Sequence, residues 1–254
     1  MGFPFVWMII GSLMKDSQIY QFPPDFIPRP LILSNYIEAL HYLGWRTFAN
    51  SIFFTFSVTF GVIVLSLAAG FAFARLRIPG KKIIFFIFIV SILVPWQIGL
   101  IPRFVIVAKL GWINTYQGII VPFFGNTVLG TYFFRNYFST IPDDIYNAAT
   151  IDGSSVPGTF FRIYLPLAKP AISAIAAITA LNAWNNYIWV LTVLNTKDMR
   201  VLTLALSLLT APINSVSMGI ILASTFLSMI PLLLVYIFAQ KWFVEGIGST
   251  GLKY

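Results

Sequence analysis

Side chains that could carry out catalysis are few in this 254-residue sequence. The closest carboxylates, Asp143 and Asp144, are neighbours in the chain, so on a helix they point in different directions and do not form an acid/base pair. There is no cysteine, and one histidine, His41, is too few for a histidine metal site. The phosphate-binding pattern G-x-x-x-x-G-K-[ST] is missing, since "PGKK" lacks its loop and its hydroxyl. We therefore expect a protein that is not an enzyme and that holds no metal or cofactor of its own.

Amide and aromatic side chains concentrate in one hydrophobic stretch. They are Asn182, Trp184, Asn185, Asn186, Tyr187 and Trp189. Uncharged amides and aromatic rings suit a sugar, through hydrogen bonds to its hydroxyl groups and stacking on its C–H faces. In a membrane protein the same residue types also have structural roles, because Trp and Tyr mark the interface and Asn bonds across helices. Both roles, solute contact and structural support, stay open for each position. Among the six residues together, we expect some to line a solute path.

The elements that position these residues are predicted to be membrane-spanning helices. Charged residues make up 9% of the chain and hydrophobic residues 58%, which is too few charges to cover a water-facing surface. A mean hydropathy of +0.86 agrees. The net charge of +8 lies mostly beside hydrophobic stretches, where Lys and Arg orient the chain and contact phospholipids, so nucleic-acid binding is not expected. The composition predicts an all-α integral membrane protein.

Six spans are predicted in one transmembrane domain covering residues 1–254. A bilayer core needs about 20 apolar residues of helix. Four uncharged stretches are long enough: Thr47 to Ala74, Ile83 to Pro102, Leu110 to Phe134 and Pro170 to Thr196. A further helix is expected from about Met218 to Gln240, after a loop with the sequence "SLLTAPINSVS". The apolar start of the chain covers roughly 21 Å as a helix, too short to cross, and is interpreted as a truncated first span.

Positive charges predict the orientation of these spans. The turn "RLRIPGKK", Arg75 to Lys82, carries four Lys and Arg residues between two spans. Short loops rich in Lys and Arg face the cytoplasm. Alternation of the spans then places residues 141–169 in the cytoplasm as well.

The cytoplasmic loop, residues 141–169, is predicted to form two short helices. Asp143 and Asp144 favour a helix start, because their charges meet the positive end of the helix dipole. Gly153 predicts a turn, Ser154 or Ser155 a helix cap, and the pair Leu165-Pro166 the end of the second helix. Large apolar residues on such a loop are costly unless they meet a partner, so it either docks on a protein or lies on lipid headgroups.

The spacing inside this loop resembles a known motif. Ala148-Ala149 are followed after three residues by Gly153, and after nine more by the run Ile163–Pro166. This is similar to the EAA loop, E-A-A, three residues, G, nine residues, I-x-L-P, of the permeases of binding-protein-dependent ABC importers. Asn147 stands where that family usually has Glu. The resemblance covers nearly the whole chain and narrows to the second permease of the carbohydrate (maltose-type) branch, as in "WNNYIWVLTVL" and "QKWFVEGIGSTGLKY".

The resemblance implies an ABC type I importer permease fold in the plasma (inner) membrane of a prokaryote. It implies a homologous second permease, two ATPase subunits that bind ATP and Mg²⁺, and an extracytoplasmic solute-binding protein. The loop would dock on an ATPase as a coupling helix. The residues expected to couple to the ATPase are the motif positions and two residues between them: Asn147, Ala148, Ala149, Asp152, Gly153, Phe161, Ile163, Leu165 and Pro166.

Three other functions fit the sequence less well than the import of a sugar or oligosaccharide. A stand-alone secondary carrier needs internal pseudo-symmetry and ion ligands at mid-membrane, and neither is visible. A membrane-embedded enzyme needs clustered Asp, Glu or His. An importer of another solute, such as glycerol phosphate, would want Lys or Arg lining the path, and the predicted spans lack them, so a neutral sugar is favoured.

Overall fold

The computed structural model describes residues 2–211 and 215–251; for residue 236 and residues 238–251 only the backbone is described. Within these residues all regular structure is helical. The α-helices are α1 Phe3–Gly11, α2 Asp16–Ile19, α3 Ser34–Leu43, α4 Trp45–Arg75, α5 Lys81–Val90, α6 Leu100–Lys109, α7 Tyr116–Ile120, α8 Val128–Ser139, α9 Asp143–Ile151, α10 Val156–Thr159, α11 Leu165–Leu167, α12 Lys169–Trp184, α13 Ile188–Val193, α14 Leu202–Leu209 and α15 Met218–Gly251. Short 3₁₀ segments lie at Ser91–Leu93, Val121–Gly125 and Lys197–Met199, and a π-helical turn at Phe160–Tyr164.

Two helices in the described part of the chain are long and apolar enough to cross a membrane, namely Trp45–Arg75 and the Met218–Val235 portion of α15. The segments Val156–Leu167 and Lys169–Trp184 together would make a third, bent by 77°. The helix predicted from Thr47 to Ala74 is confirmed as one continuous helix, and α15 begins at Met218 as predicted but runs past Gln240 to Gly251. The count of six spans stays a prediction.

The other three uncharged stretches are interrupted rather than continuous helices. Between Ile83 and Pro102 the chain leaves the helix before Pro95, because a proline pushes the preceding residue, Val94, into an extended conformation. Between Leu110 and Phe134 there is a short helix and a 3₁₀ turn that holds Pro122 before α8 begins. Uncharged composition predicted where the apolar chain lies but could not predict these breaks.

Two predictions at the ends of elements need correction. The apolar start of the chain is not helical over the whole of the expected length of roughly 21 Å. It contains α1, a helix of 9 residues, followed by turns. The predicted loop "SLLTAPINSVS" starts later than expected, because Ser207 to Leu209 form the last turn of α14. Residues 212–214 of that loop lie outside the described residues.

The chain divides into two compact units, each with its own core. The first contains the N-terminal part of the chain up to Phe53 together with Trp184–Ile237, and the second contains Phe54–Ala183. The core of the first includes Leu43, Leu202, Ala205 and Leu209. The core of the second is Leu67, Phe71, Phe134, Phe138, Tyr164, Ala168, Ala171 and Ile175. The prediction of one transmembrane domain stays a prediction.

Close helix approach shapes the second unit. A Cβ atom placed on Gly70 of α4 would lie 2.7 Å from the Cβ atom of Phe134 on α8. A Cβ atom on Gly130, one turn earlier on α8, would lie 2.6 Å from the Ser66 hydroxyl. Real Cβ atoms do not come this close, so glycine at these two positions lets the backbones of α4 and α8 pack directly.

Candidate functional site

The first half of the cytoplasmic loop folds as its local sequence predicts. Helix α9 begins at Asp143, directly after Pro142, with Asp143 and Asp144 in its first turn. It ends in a Schellman motif, in which the Ser154 N–H donates to the Ala149 carbonyl at 2.9 Å and the Gly153 N–H to the Thr150 carbonyl at 3.1 Å. Gly153 has a φ of +76°, a conformation that glycine adopts without steric cost. The sharp turn between the two loop helices therefore depends on this glycine.

The second half of the loop departs from the prediction at its end. The Ser155 hydroxyl caps α10 by accepting from the Gly158 N–H at 3.2 Å, as predicted. The helix does not end at Leu165-Pro166 but continues to Leu167. A π-helical turn, Phe160–Tyr164, precedes Pro166, which then occupies the first turn of α11, where a proline is tolerated. The chain bends by 77° before α12.

The predicted coupling residues fall on two sides of this loop. Those exposed to solvent are Asn147, Ala148, Asp152, Gly153, Phe161 and Pro166. Ala149 is buried, and Ile163 and Leu165 pack against the core of the second unit. Phe161 is 62% exposed and Ile151, at the end of α9, is 87% exposed. The loop thus exposes large apolar side chains among polar ones and is held from inside by its other apolar residues.

Two residues that the sequence analysis did not select complete this site. Ile151 could have been found, because a large apolar residue directly before an Asp-Gly turn has no local core to enter. For Arg75, the last residue of α4, the sequence predicts only a role in orienting the spans. Its contacts lie more than 60 residues further along the chain, so spacing along the sequence gave no sign of them.

Arg75 anchors the start of the loop to α4. Its side chain is 6% exposed and forms an ion pair with Asp143. The guanidinium also donates to the Phe138 carbonyl at 2.6 Å and to the Ile141 carbonyl, and it lies 5.3 Å from the centre of the Tyr164 ring. One buried cation therefore joins α4, the end of α8, the start of α9 and the π-helical turn.

The second candidate region is the polar break, residues 182–189, where α12 ends at Trp184 and α13 begins at Ile188. Asn182, Asn185 and Tyr187 are exposed, and Trp184 and Asn186 are half-buried. Trp184 packs against the core of the first unit, and the Asn186 carbonyl accepts from the Thr203 hydroxyl at 2.8 Å. Trp189 is 1% exposed. The structure thus gives Trp189 a place in a core rather than on a surface open to solute, which residue type alone could not predict.

One of the predicted path residues lines a cavity. Asn182, in the second unit, borders a cavity of about 80 Å³ together with Asn126 and Thr179. Amide and hydroxyl groups of this kind can bond sugar hydroxyls. The volume is well below the roughly 300 Å³ at which small-molecule sites begin, so in this conformation the cavity accommodates water rather than a sugar.

Comparison with known proteins places this chain in a transport family. Residues 62–248 match the family described as binding-protein-dependent transport system inner membrane component. The chain is 31% identical to the arabinooligosaccharides transport system permease protein AraQ of Halalkalibacterium halodurans, over 99% of this chain and 91% of that protein. It is also 31% identical to AraQ of Bacillus subtilis, over 99% of this chain and 90% of that protein.

Two further likenesses broaden the comparison. The sn-glycerol-3-phosphate transport system permease protein UgpE of Brucella suis is 30% identical, over 98% of this chain and 91% of that protein. A chain in the crystal structure of a bacterial ABC transporter involved in the import of the acidic polysaccharide alginate matches with a TM-score of 0.83 and 27% identity, over 95% of this chain and 90% of that chain. The fold is therefore that of an ABC importer permease, a transport component of the inner membrane and not an enzyme. The chain belongs to the family of binding-protein-dependent transport system inner membrane components.

Proposed function

We propose that this permease imports a sugar or oligosaccharide, along a path that it forms with a second, homologous permease. The named function of the AraQ relatives supports a carbohydrate. So do the exposed amide and phenol groups of Asn182, Asn185 and Tyr187, which suit uncharged hydroxyl-rich solutes.

The proposal assigns the chemistry of ATP to other subunits. Two ATPase subunits bind ATP and Mg²⁺, and an extracytoplasmic solute-binding protein delivers the sugar. This chain supplies the coupling surface. ATP binding draws the ATPases together, the cytoplasmic loop moves as a rigid body, and the spans rock between inward-facing and outward-facing states.

The observation that carries this role is the form of the cytoplasmic loop. A loop that moves helices must be stiff, attached to those helices, and able to hold a partner. The Schellman turn at Gly153 supports stiffness, the Arg75 contacts support attachment, and the exposed Ile151 and Phe161 support docking. Exposed apolar side chains on a folded loop are characteristic of surfaces that meet a protein.

Reconstitution of the complete importer tests the proposal. The two permeases, the ATPases and the cognate binding protein are placed in proteoliposomes, and uptake is measured for radiolabelled arabino-oligosaccharides and for glycerol phosphate. We expect ATP-dependent uptake of the oligosaccharide only with the binding protein present. Uptake by this chain without the ATPases would contradict the assignment and support a stand-alone carrier.

An anionic solute is a second candidate, favoured by one feature of the first unit. Lys197 and Arg200 border a cavity of about 440 Å³, a size in the range of small-molecule sites. Two cations there suit a phosphate or a carboxylate, and the UgpE relatives are named for glycerol phosphate. The same proteoliposomes test this candidate. If glycerol phosphate is taken up saturably, its uptake is lost in Arg200→Gln, and the oligosaccharide is not taken up, an anionic solute is the substrate and the sugar proposal is wrong.

A further inference from the structure

A third cavity, of about 450 Å³, lies in the second unit near the end of α4 that leads into the turn from Arg75 to Lys82. It is bordered by the start of α5 and the last turns of α8. Three of its lining residues are cations, Lys81, Lys82 and Arg135. Lys81 and Lys82 open α5, and Arg135 is one turn before the end of α8 at Ser139. All three therefore stand at the predicted cytoplasmic ends of their helices.

The positive charges in this cavity have no acidic partner among the residues whose side chains the structure describes. None of the described lining residues is Asp or Glu, and neither of the two ion pairs in the described part of the chain, Arg46–Asp198 and Arg75–Asp143, involves its cations. The Lys81 ammonium donates to the Leu76 carbonyl at 3.0 Å, and Arg135 donates to the Asn136 side-chain oxygen at 3.2 Å. The Arg135 guanidinium also lies 4.5 Å from the centre of the Phe85 ring. These neutral contacts hold Lys81 and Arg135 without supplying a negative charge.

Apolar side chains continue from the basic end of the cavity along α5. Phe85 and Phe86 stand one turn into the helix, about 6 Å from its start, and Ile89 stands about 6 Å further on. Phe86 is 67% exposed, so much of this surface has no cover within the chain. The cations at the start of the helix would lie at the level of the lipid headgroups. The exposed apolar side chains one and two turns further along the helix would lie at the level of the acyl chains of the same leaflet.

We propose that this cavity binds an anionic phospholipid of the cytoplasmic leaflet. The lipid phosphate lies between Lys82 and Arg135, with Lys81 adding charge, and an acyl chain runs along Phe86 and Ile89. A free phosphate would use the same cations but would gain nothing from the apolar surface. Basic pockets between membrane helices on the cytoplasmic side suit phosphate headgroups, and each nearby Lys or Arg contributes about fivefold in affinity.

The test measures lipid retention by the full chain in the assembled importer. The complex is placed in nanodiscs of phosphatidylcholine containing phosphatidylglycerol, released in the mass spectrometer, and its retained lipids are counted over a range of phosphatidylglycerol fractions. We expect Lys82→Gln/Arg135→Gln to lower the apparent affinity roughly 25-fold, as the product of two fivefold losses. Lys82→Gln alone changes an exposed side chain, and it is expected to lower the affinity about fivefold, which separates lipid binding from folding.

The matched control removes two exposed cytoplasmic charges that do not border the cavity, in Arg77→Gln/Lys169→Gln. It has the same net charge as the first double variant and is expected to retain the lipid as the wild type does. Equal loss in both double variants, or equal retention of phosphatidylcholine and phosphatidylglycerol by the wild type, would overturn the proposal. So would inorganic phosphate displacing the lipid at millimolar concentration, since that marks a site for a soluble anion. Absence of retained lipid, with a cross-link from position 86 to the second permease, would show that a protein covers the cavity.

Discussion

The predicted cytoplasmic loop and the polar break both interrupt an apolar chain, but they place their large apolar side chains differently. In the loop, Phe161 and Ile151 are exposed, and the loop is anchored by Arg75, a buried cation at the end of α4. In the polar break, the large aromatic Trp189 is buried, and the polar Asn182 and Asn185 are exposed. The break buries its largest aromatic side chain, whereas the loop exposes large apolar side chains next to its polar ones.

This difference indicates what each region is built to meet. Large apolar side chains that are exposed on a firmly anchored loop support contact with another protein. Exposed amides suit water or a hydroxyl-rich solute. Changes in the break are therefore expected to divide into effects on stability and effects on transport, while changes on the loop surface affect coupling alone.

The largest effect is expected from Trp189→Ala. Removal of a fully buried Trp leaves a cavity and costs about 3–5 kcal/mol of stability. The measurement is the thermal midpoint of the purified chain in detergent. Tyr187→Ala is the control, because that residue is 38% exposed against 1% for Trp189, so its removal should lower the midpoint less. An unchanged midpoint in Trp189→Ala, with reduced uptake, would move Trp189 onto the solute path and remove the contrast between the regions.

The next effect is expected from Arg75→Gln. The change removes the ion pair to Asp143 and leaves the Ile141 carbonyl without its donor, and an unmet buried group costs about 1–3 kcal/mol. The Phe138 carbonyl loses the guanidinium but still accepts from the Ile141 N–H. Because the loop is then less firmly attached to α4, ATP hydrolysis should continue with uptake reduced. Both rates are measured in proteoliposomes.

Arg77→Gln is the matched control for Arg75→Gln, since it removes the same charge from an exposed position in the same turn. The control is expected to leave uptake and hydrolysis near wild-type values. Equal defects in the two variants would show that the turn acts through its charge, and the anchoring role of Arg75 would then be wrong.

The two regions also differ in how much of them the sequence could predict. In the loop, the start at Asp143, the cap at Ser155 and the turn at Gly153 depend on residues a few positions apart, so turn and cap chemistry predicted them. The anchor at Arg75 depends on a fold that brings distant segments together. In the break, residue types identified a polar cluster, but burial of Trp189 depends on neighbours that no local pattern reveals.

The spans show the same limit on a larger scale. Helix α4 was predicted because its apolar run is long and free of proline. The stretch from Ile83 to Pro102 is equally apolar, yet Pro95 breaks it, and the bend before α12 follows a π-helical turn with no simple sequence signature. Hydropathy reports where the chain is apolar, while continuity of a helix depends on single residues and on packing.

Gly153→Val is expected to have a smaller effect on the chain itself. A β-branched residue in the left-handed conformation costs about 1–2 kcal/mol, which opens the turn between the loop helices. The isolated subunit should still insert in the membrane, but the ATPase should no longer co-purify with it. Gly153→Asn is the control, because Asn tolerates this conformation, and it should restore assembly. Full transport and ATPase binding by Gly153→Val would contradict the docking role of the loop.

The smallest effect on stability, and the sharpest test of the comparison, is expected from Phe161→Ala. This side chain is 62% exposed, so its removal should change the free energy of unfolding by less than about 0.5 kcal/mol. Its neighbour Phe160 is the control, since the Phe160 ring lies 5.1 Å from Phe71 in the core. Phe160→Ala should lower the thermal midpoint, whereas Phe161→Ala should leave it unchanged. Phe161→Ala should instead weaken ATPase binding about tenfold or more, as expected for a large apolar residue at a protein interface. ATPase binding is measured by co-purification over a range of detergent wash volumes. Unchanged binding in Phe161→Ala would instead place the exposed apolar side chains of the loop against lipid. Their exposure would then reflect the membrane and not a protein partner.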